Sequence, residues 1–194
     1  MSRKRERVHF HLDSGEITYL TNDEIKAILR AADGLISTGG RSMLSKVLKG
    51  SKDKKVLEHG LDQNPGYGFY SHLTIPEIIQ RIDWVIINGY LRIDYNGRLP
   101  VVVFSEMGWE VERETYTEEL LQKLTKLLDG HDYSFVGELK DRNRGMILLL
   151  IDKIRKTNNP DFITMLKAWQ EIDYKKVQAA LQGAIGYLTG QLAT

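Results

Sequence analysis

The sequence predicts an α+β chain in which short capped helices and one β-hairpin are followed by an all-helical bundle. Three observations lead there. Apolar residues recur at helical spacing between recognisable caps and glycine stops across residues 22–89. One stretch, residues 90–105, alternates as strand, turn and strand around Asn96-Gly97. Beyond Tyr116 every apolar pattern has the helical period.

In chain order, Arg3–Arg7 form a basic arm. Val8, Phe10 and Leu12 alternate with His9, His11 and Asp13, and Ser14-Gly15 signals a turn before Ile17–Leu20, so a small hairpin is expected. His9 and His11 share a strand face that a metal could use, although no third ligand is near and a solvated face is the simpler account. Asn22 is the expected N-cap of a helix with Ile25, Ile28, Leu29 and Ala32 inward and Gly34 as its stop. A second helix turns Met43, Leu44, Val47 and Leu48 inward and stops at Gly50, and Ser51 is expected to cap a short third one.

Around that stop the chain gathers Lys46, Lys49, Lys52, Lys54 and Lys55 against one acid, Asp53, and then runs into the glycine-rich Asn64-Pro65-Gly66-Tyr67-Gly68. A Gly-Ser bend is expected to offer free backbone N–H groups and a hydroxyl, and the lysines add charge, a combination suited to phosphate oxygens. The alternative is a solvated charged face. Thr74 and Glu77 make a capping box with Pro76 in the first turn, and Ile75, Ile78, Ile79, Ile82, Val85 and Ile86 form the inward stripe of a helix ending at Gly89. Its outward residues include Arg81, opposed by Asp83, which is poor equipment for reading bases. The hairpin follows, with Asn96-Gly97 as a type I′ turn, Arg92 and Arg98 flanking the tip, and Pro100 marking an edge or a bulge.

Thr117 is expected to open the bundle as an N-cap. Helices follow with Leu120, Leu121, Leu124, Leu127 and Leu128, then Ile147–Ile154, then Phe162–Trp169 after Pro160, then Val177–Leu188 capped by Asp173. The paired short helices are weakly similar to HEAT-type repeats. Arg142, Arg144, Lys153, Arg155 and Lys156 read as solvated helix charges.

Composition narrows the function classes. The chain has 194 residues, 42% hydrophobic and 27% charged, with a net charge of +1 and no cysteine. That excludes disulfide scaffolds, cysteine nucleophiles and thiolate metal sites, and it means that a nucleic-acid site must be a focused patch. No apolar run reaches membrane-spanning length and no secretory core stands at the N-terminus, so a cytoplasmic protein without a membrane partner is expected. No P-loop, zincin or nucleophile-elbow motif occurs. Besides His9 and His11, the groupings for acid–base or metal work are His59 and His72 with Asp62, or Glu106, Glu110 and Glu112. A non-enzyme with no cofactor is expected.

The segment Lys49-Gly50-Ser51-Lys52-Asp53-Lys54-Lys55-Val56-Leu57 resembles the Gly-Ser motif of the RQC (RecQ C-terminal) winged-helix domain of RecQ-family DNA helicases. The resemblance continues through Gly66-Tyr67-Gly68, Asn88-Gly89-Tyr90-Leu91 and Phe104-Ser105-Glu106-Met107-Gly108, spanning residues 22–113, and is closer to small motor-less bacterial proteins with this domain than to the helicases. It implies that residues 22–114 form an RQC-like winged helix, and the residue patterns on either side complete three parts, with residues 1–21 as an arm with a short hairpin and 115–194 as a helical bundle. It further implies non-catalytic binding of DNA at duplex ends, forks or junctions. Lys49, Ser51, Lys52, Lys54, Lys55 and Arg81 would meet the DNA from the helices, and Arg92 and Arg98 would anchor the wing. Tyr95 would stack on an exposed base pair, or else only pair across the hairpin. The competing expectation is an adaptor that docks proteins through its winged helix and bundle.

Overall fold

The computed structural model describes residues 10–130 and 133–191, which group into two compact units, Met1–Glu112 and Arg113–Thr194. His9 and the basic arm lie outside the described residues.

The first unit is a winged helix. Helix α1 (Asn22–Asp33) is capped by Thr21 rather than Asn22: the Thr21 hydroxyl accepts the Glu24 N–H at 3.2 Å and the Glu24 carboxylate accepts the Thr21 N–H at 2.9 Å. The reciprocal pair satisfies two end groups at once, which a lone Asn cap cannot do. Helix α2 (Arg41–Lys49) and the short α3 (Lys54–Glu58) follow; α3 is capped by Asp53, while Ser51 only receives the Asp53 N–H. Helix α4 (Ile75–Ile87) opens on the expected Thr74/Glu77 capping box. Ile28, Leu29, Leu44, Leu48, Ile78 and Ile82 meet in one core, closed by Leu91 and Val102 of the wing.

That wing pairs β1 (Leu91–Asn96) with β2 (Leu99–Phe104), antiparallel and without a bulge. Asn96 pairs with Leu99, so the turn residues are Gly97 and Arg98, not Asn96 and Gly97. Gly97 has φ +63° and Arg98 is not left-handed, the φ pattern of a type II′ turn. The far edge of β2 is used as well. The Ser37 N–H reaches the Val102 carbonyl at 3.1 Å, and the Val102 N–H reaches Gly39 at 2.9 Å. Pro100, two residues from Val102, points its missing N–H to that same edge, where the ladder loses nothing.

The expected hairpin at residues 10–20 does not form. Its turn does, with the Gly15 N–H on the Asp13 carboxylate at 2.8 Å, but the Asp13 N–H goes to Asp83 of α4 at 2.9 Å instead of to a ladder.

Helix α5 (Glu106–Leu128) crosses the expected boundary without a break. Ser105 opens it by accepting the Gly108 N–H at 3.0 Å. Thr117 is a mid-helix residue whose hydroxyl donates to the carbonyls of Arg113 and Glu114 at 2.8 and 2.9 Å. The capping signal at Thr117 fails because nothing between Glu106 and Thr117 breaks a helix already under way. The second unit adds a 3₁₀ turn (Ser134–Leu139), α6 (Arg144–Lys156), α7 (Phe162–Ile172) and α8 (Lys175–Gln191) around Trp169, Phe162, Leu150, Leu166 and Leu181. Asp173 sits between α7 and α8, accepting the Trp169 Nε1–H at 2.8 Å and the Tyr174 N–H at 2.6 Å.

Glycine substitutions divide sharply in this fold. A Cβ on Gly108 would stand 1.8 Å from the Tyr90 carbonyl oxygen, whereas Gly183 and Gly186 in α8 face open space. Gly108→Ala is expected to destabilise by about 2 kcal/mol or more. Gly183→Ala and Gly186→Ala should each stabilise by roughly 0.5–1 kcal/mol. Urea denaturation of the three variants reads both signs. A second expectation concerns pH. Burial opposes ionisation of Glu24, but hydrogen bonds from the Thr21 backbone and side chain and from Tyr70, with the charge of Arg81, hold its carboxyl below the usual range. Hydrogen bonds from the Thr74 side chain and backbone do the same for Glu77. Their stabilisation is complete above the ordinary carboxylate range, about pH 4–5, and is lost as pH falls through the lower folded values. Denaturation midpoints should drop on acidification, and less so in a Glu24→Gln/Glu77→Gln variant.

Candidate nucleic-acid interface

The Gly-Ser junction is built from backbone. Gly50, at φ +74°, ends α2: its N–H donates to Val47 and the Ser51 N–H reaches the Lys46 carbonyl, both at 2.9 Å. This helix-ending motif uses the N–H groups that were expected to be free. The glycine-rich segment then packs onto the junction. The Gly68 N–H donates to the Val47 carbonyl at 2.9 Å, the Tyr70 N–H to Leu48 at 2.8 Å, and the Tyr67 hydroxyl to Ser51 at 3.2 Å. A Cβ on Gly50 would lie 3.1 Å from the Gly68 Cα, and one on Gly66 would lie 2.5 Å from the Ala31 Cβ. These glycines therefore serve close backbone approach within the fold.

The lysines fall into two groups. Lys46 is paired with Asp53 at 2.8 Å, and Lys54 with Glu58 at 3.5 Å. Lys49 donates to the Ser71 and Leu73 carbonyls at 2.6 and 2.7 Å, tying α2 to the approach to α4. Lys52 and Lys55 are exposed, and their ammonium groups make no ion pair or hydrogen bond among the described residues. The hydrogen bond from Lys46, with that from the Lys55 N–H, holds the Asp53 carboxyl below its ordinary value, so Asp53 stays charged beside them.

On α4 the two expected outward charges turn inward. Arg81 lies over the Tyr70 ring at 5.4 Å, donates to the Glu77 carbonyl at 3.0 Å and approaches Glu24 at 3.7 Å. It is spent inside the unit rather than presented outward. Asp83 is buried: its carboxylate takes Nη1 of Arg41 at 2.6 Å and 2.5 Å and the Asp13 N–H at 2.9 Å. Sequence reading missed Arg41, whose guanidinium also donates to the His11 carbonyl and lies over Phe10. The available signal was a basic residue opening a helix, where the dipole disfavours it unless an acid answers it.

On the wing, Leu91, Ile93 and Tyr95 share the face that meets Phe104, Val102 and Pro100. Tyr95 is half-buried directly opposite Pro100. Arg92 and Arg98 are exposed, and the large apolar side chain most open at the tip is Leu99, at 67% exposure. A groove of about 490 Å³ joins these parts. Lys46 and Lys55 line it from the junction, Arg41 and Ser42 from the start of α2, and Leu99, Pro100 and Val101 from the wing.

The other groupings do not assemble. His59 and His72 are exposed. Glu106 and Glu110 are exposed, while Glu112 is buried on Arg30 at 3.3 Å. Among the described residues no three His, Cys, Asp or Glu side chains gather as a metal site would need, and no helix is long and apolar enough to cross a membrane.

Comparison with known proteins adds two findings. A family model described as the RQC domain matches residues 18–126, more than half of the chain. The chain is also similar to the ATP-dependent DNA helicase RecQ of Bacillus subtilis (strain 168), 36% identical over 72 residues. That match takes in 37% of this chain but spans only 12% of the helicase. No solved structure matches.

The half-buried Arg41, paired with the buried Asp83, forms part of the groove wall. Arg41→Met strands the Asp83 carboxylate and should destabilise by roughly 3 kcal/mol. The double variant Arg41→Met/Asp83→Asn should cost less than Arg41→Met alone, because the stranded charge is gone while an acceptor remains for the Asp13 N–H. Chemical denaturation of the two variants checks that order.

Proposed function

This chain belongs to the RQC domain family, and from that premise we propose that it is a non-catalytic DNA-binding protein that grips the sugar–phosphate backbone between the Gly-Ser junction and the wing. The observation that supports this most directly is the groove with Lys55 on one side and β2 on the other. A protein of net charge +1 has no bulk attraction for DNA, so unpaired cations beside a concave track carry the affinity.

The proposed division of labour follows side-chain availability. Lys52 and Lys55 contact phosphates directly, and Lys54, in an exposed pair with Glu58, exchanges that partner at little cost. Ser51 accepts the Asp53 N–H and keeps its hydroxyl proton to donate. Lys49 shapes the junction from within, and Arg81 supports α4. Arg92 and Arg98 anchor the wing. The tip meets an opened end or fork through Leu99, with Tyr95 bracing it from the opposite face against Pro100. A preference for ends and forks over internal duplex follows from a tip that inserts only where a base pair is already exposed.

Fluorescence anisotropy with blunt, forked and long duplexes across a salt titration tests this. Lys52→Ala/Lys55→Ala should weaken binding to all of them and reduce the salt slope by about 2. Leu99→Ala should leave the slope unchanged and remove the preference for forks. Unaltered affinity in the lysine variant at every salt concentration would refute the phosphate assignment.

A further inference from the structure

The second unit carries a basic recess that the winged helix does not use. A pocket of about 190 Å³ lies between the first turn of α6 and the first turn of α8, with Lys140, Arg142, Arg144 and Tyr174 in its lining. Arg142 is committed: it bonds the Tyr116 hydroxyl, lies over that ring at 5.3 Å, and donates to the Glu138 carbonyl at 3.2 Å. The basic residues of the last turns of α6 are also engaged, Lys153 with Glu114 and Glu118, and Arg155 and Lys156 with Asp152.

Around the pocket the situation differs. Arg144, Lys175 and Lys176 are exposed and make no ion pair among the described residues. Neither α6 nor α8 has an acid in its first turn, where the helix dipole favours one, and these three cations stand there instead. Asp141 is the one acid of the pocket lining, accepting the Tyr174 hydroxyl at 3.4 Å, and the basic Lys140, Arg142 and Arg144 of the same lining outnumber it. Asp173 is buried on Trp169 and the Tyr174 N–H. The pocket lining also holds an aromatic ring, next in the chain to Lys175 and Lys176. Tyr174 is 53% exposed, with the Lys140 ammonium 5.1 Å from its centroid. It is thus oriented by two contacts while half of its surface faces solvent.

We propose that this recess, together with the exposed first turn of α8 that follows Tyr174, binds single-stranded nucleic acid, with one base stacked on Tyr174 and backbone phosphates on Arg144 in the pocket lining and on Lys175 and Lys176 outside it. A free phosphate would use the cations and leave the ring idle. In a duplex the base faces are covered by their neighbours, so an exposed ring flanked by cations meets a base only where a strand is single. The inference stands apart from the wing and junction, since every residue it uses belongs to the second unit.

Anisotropy with the full chain and a labelled oligo-dT of about twenty nucleotides tests it, beside a blunt duplex. Arg144→Ala/Lys175→Ala/Lys176→Ala should weaken oligo-dT binding about tenfold or more, with a shallower salt dependence, and change duplex affinity less than about twofold. Tyr174→Ala should also lose about tenfold on oligo-dT, and Tyr174→Phe should stay near wild type. These residues are on the surface, and an unchanged melting temperature confirms each variant is folded. Wild-type oligo-dT affinity in the triple variant or in Tyr174→Ala overturns the proposal, as does an equal loss on both ligands or displacement of oligo-dT by inorganic phosphate at equal concentration. The Lys52→Ala/Lys55→Ala variant keeps the readings apart: it should lose duplex binding while retaining the part of oligo-dT affinity that depends on Tyr174.

Discussion

Much of the first unit depends on the place where Gly50 and Gly68 bring two stretches of backbone together. Both glycines are left-handed, and a Cβ on Gly50 would already stand 3.1 Å from its neighbour's Cα. Because α2 ends there, the Val47 carbonyl takes the Gly68 N–H beside that of Gly50, and the Leu48 carbonyl takes the Tyr70 N–H. That docking aligns the glycine-rich segment, draws Lys49 onto the Ser71 and Leu73 carbonyls, and sets the chain entering α3 on the outside. The residues that look like a phosphate cradle in the sequence are therefore first a hinge of the fold. The cations left over, Lys52 and Lys55, are what that hinge turns outward.

Electrostatics in this chain is a matter of allocation. Positive and negative residues are nearly equal in number, 27 against 26. What a surface can do is set by which charges are already answered. The buried Asp83 is answered by the half-buried Arg41, and the buried Glu112 by the buried Arg30. Arg81 is absorbed by Tyr70 and Glu24, whose own contact raises the Tyr70 hydroxyl well above its ordinary value through burial and the adjoining carboxylate. Among the described residues, cations without an ion pair include Lys52 and Lys55 at the junction, Arg92 and Arg98 on the wing, and Arg144, Lys175 and Lys176 at the starts of α6 and α8. An isolated surface ion pair contributes little to stability, whereas an unanswered cluster focuses a field that a polyanion can use.

The wing shows how a small sheet avoids being an edge. Two strands alone are marginal in water. Here β2 takes a second set of hydrogen bonds from the Ser37–Gly39 loop, and its proline falls where no donor is needed. One face is closed by Val102 and Leu91 against the helical core, so the hairpin is held at its base while its tip, Gly97 to Leu99, stays exposed. A base held by the core with an exposed tip is what the proposed insertion at a duplex end requires.

Local rules were enough for the α+β class, the Thr74/Glu77 box, the stop at Gly50 and the existence of the hairpin, because each rests on short-range patterns, while the winged-helix reading came with the family resemblance. The cap of α1 and the turn type of the wing were misread by a single position, since Thr21 beside Asn22, and Asn96-Gly97 beside Gly97-Arg98, offer equivalent local signals that only the register separates. The false start at Thr117 is the same kind of error at larger scale: a valid cap signal within a helix that Ser105 had already begun. Availability of charge was not legible at all. Whether Lys49, Arg81, Asp83 or Arg41 faces solvent is decided by partners 22 to 70 positions away, such as Lys49 with Ser71 and Asp83 with Asp13. Sequence alone fixes which charges exist and which helix they ride on. Only the folded chain brings distant partners within hydrogen-bond reach, because burying a charge is tolerable only where an opposite one meets it.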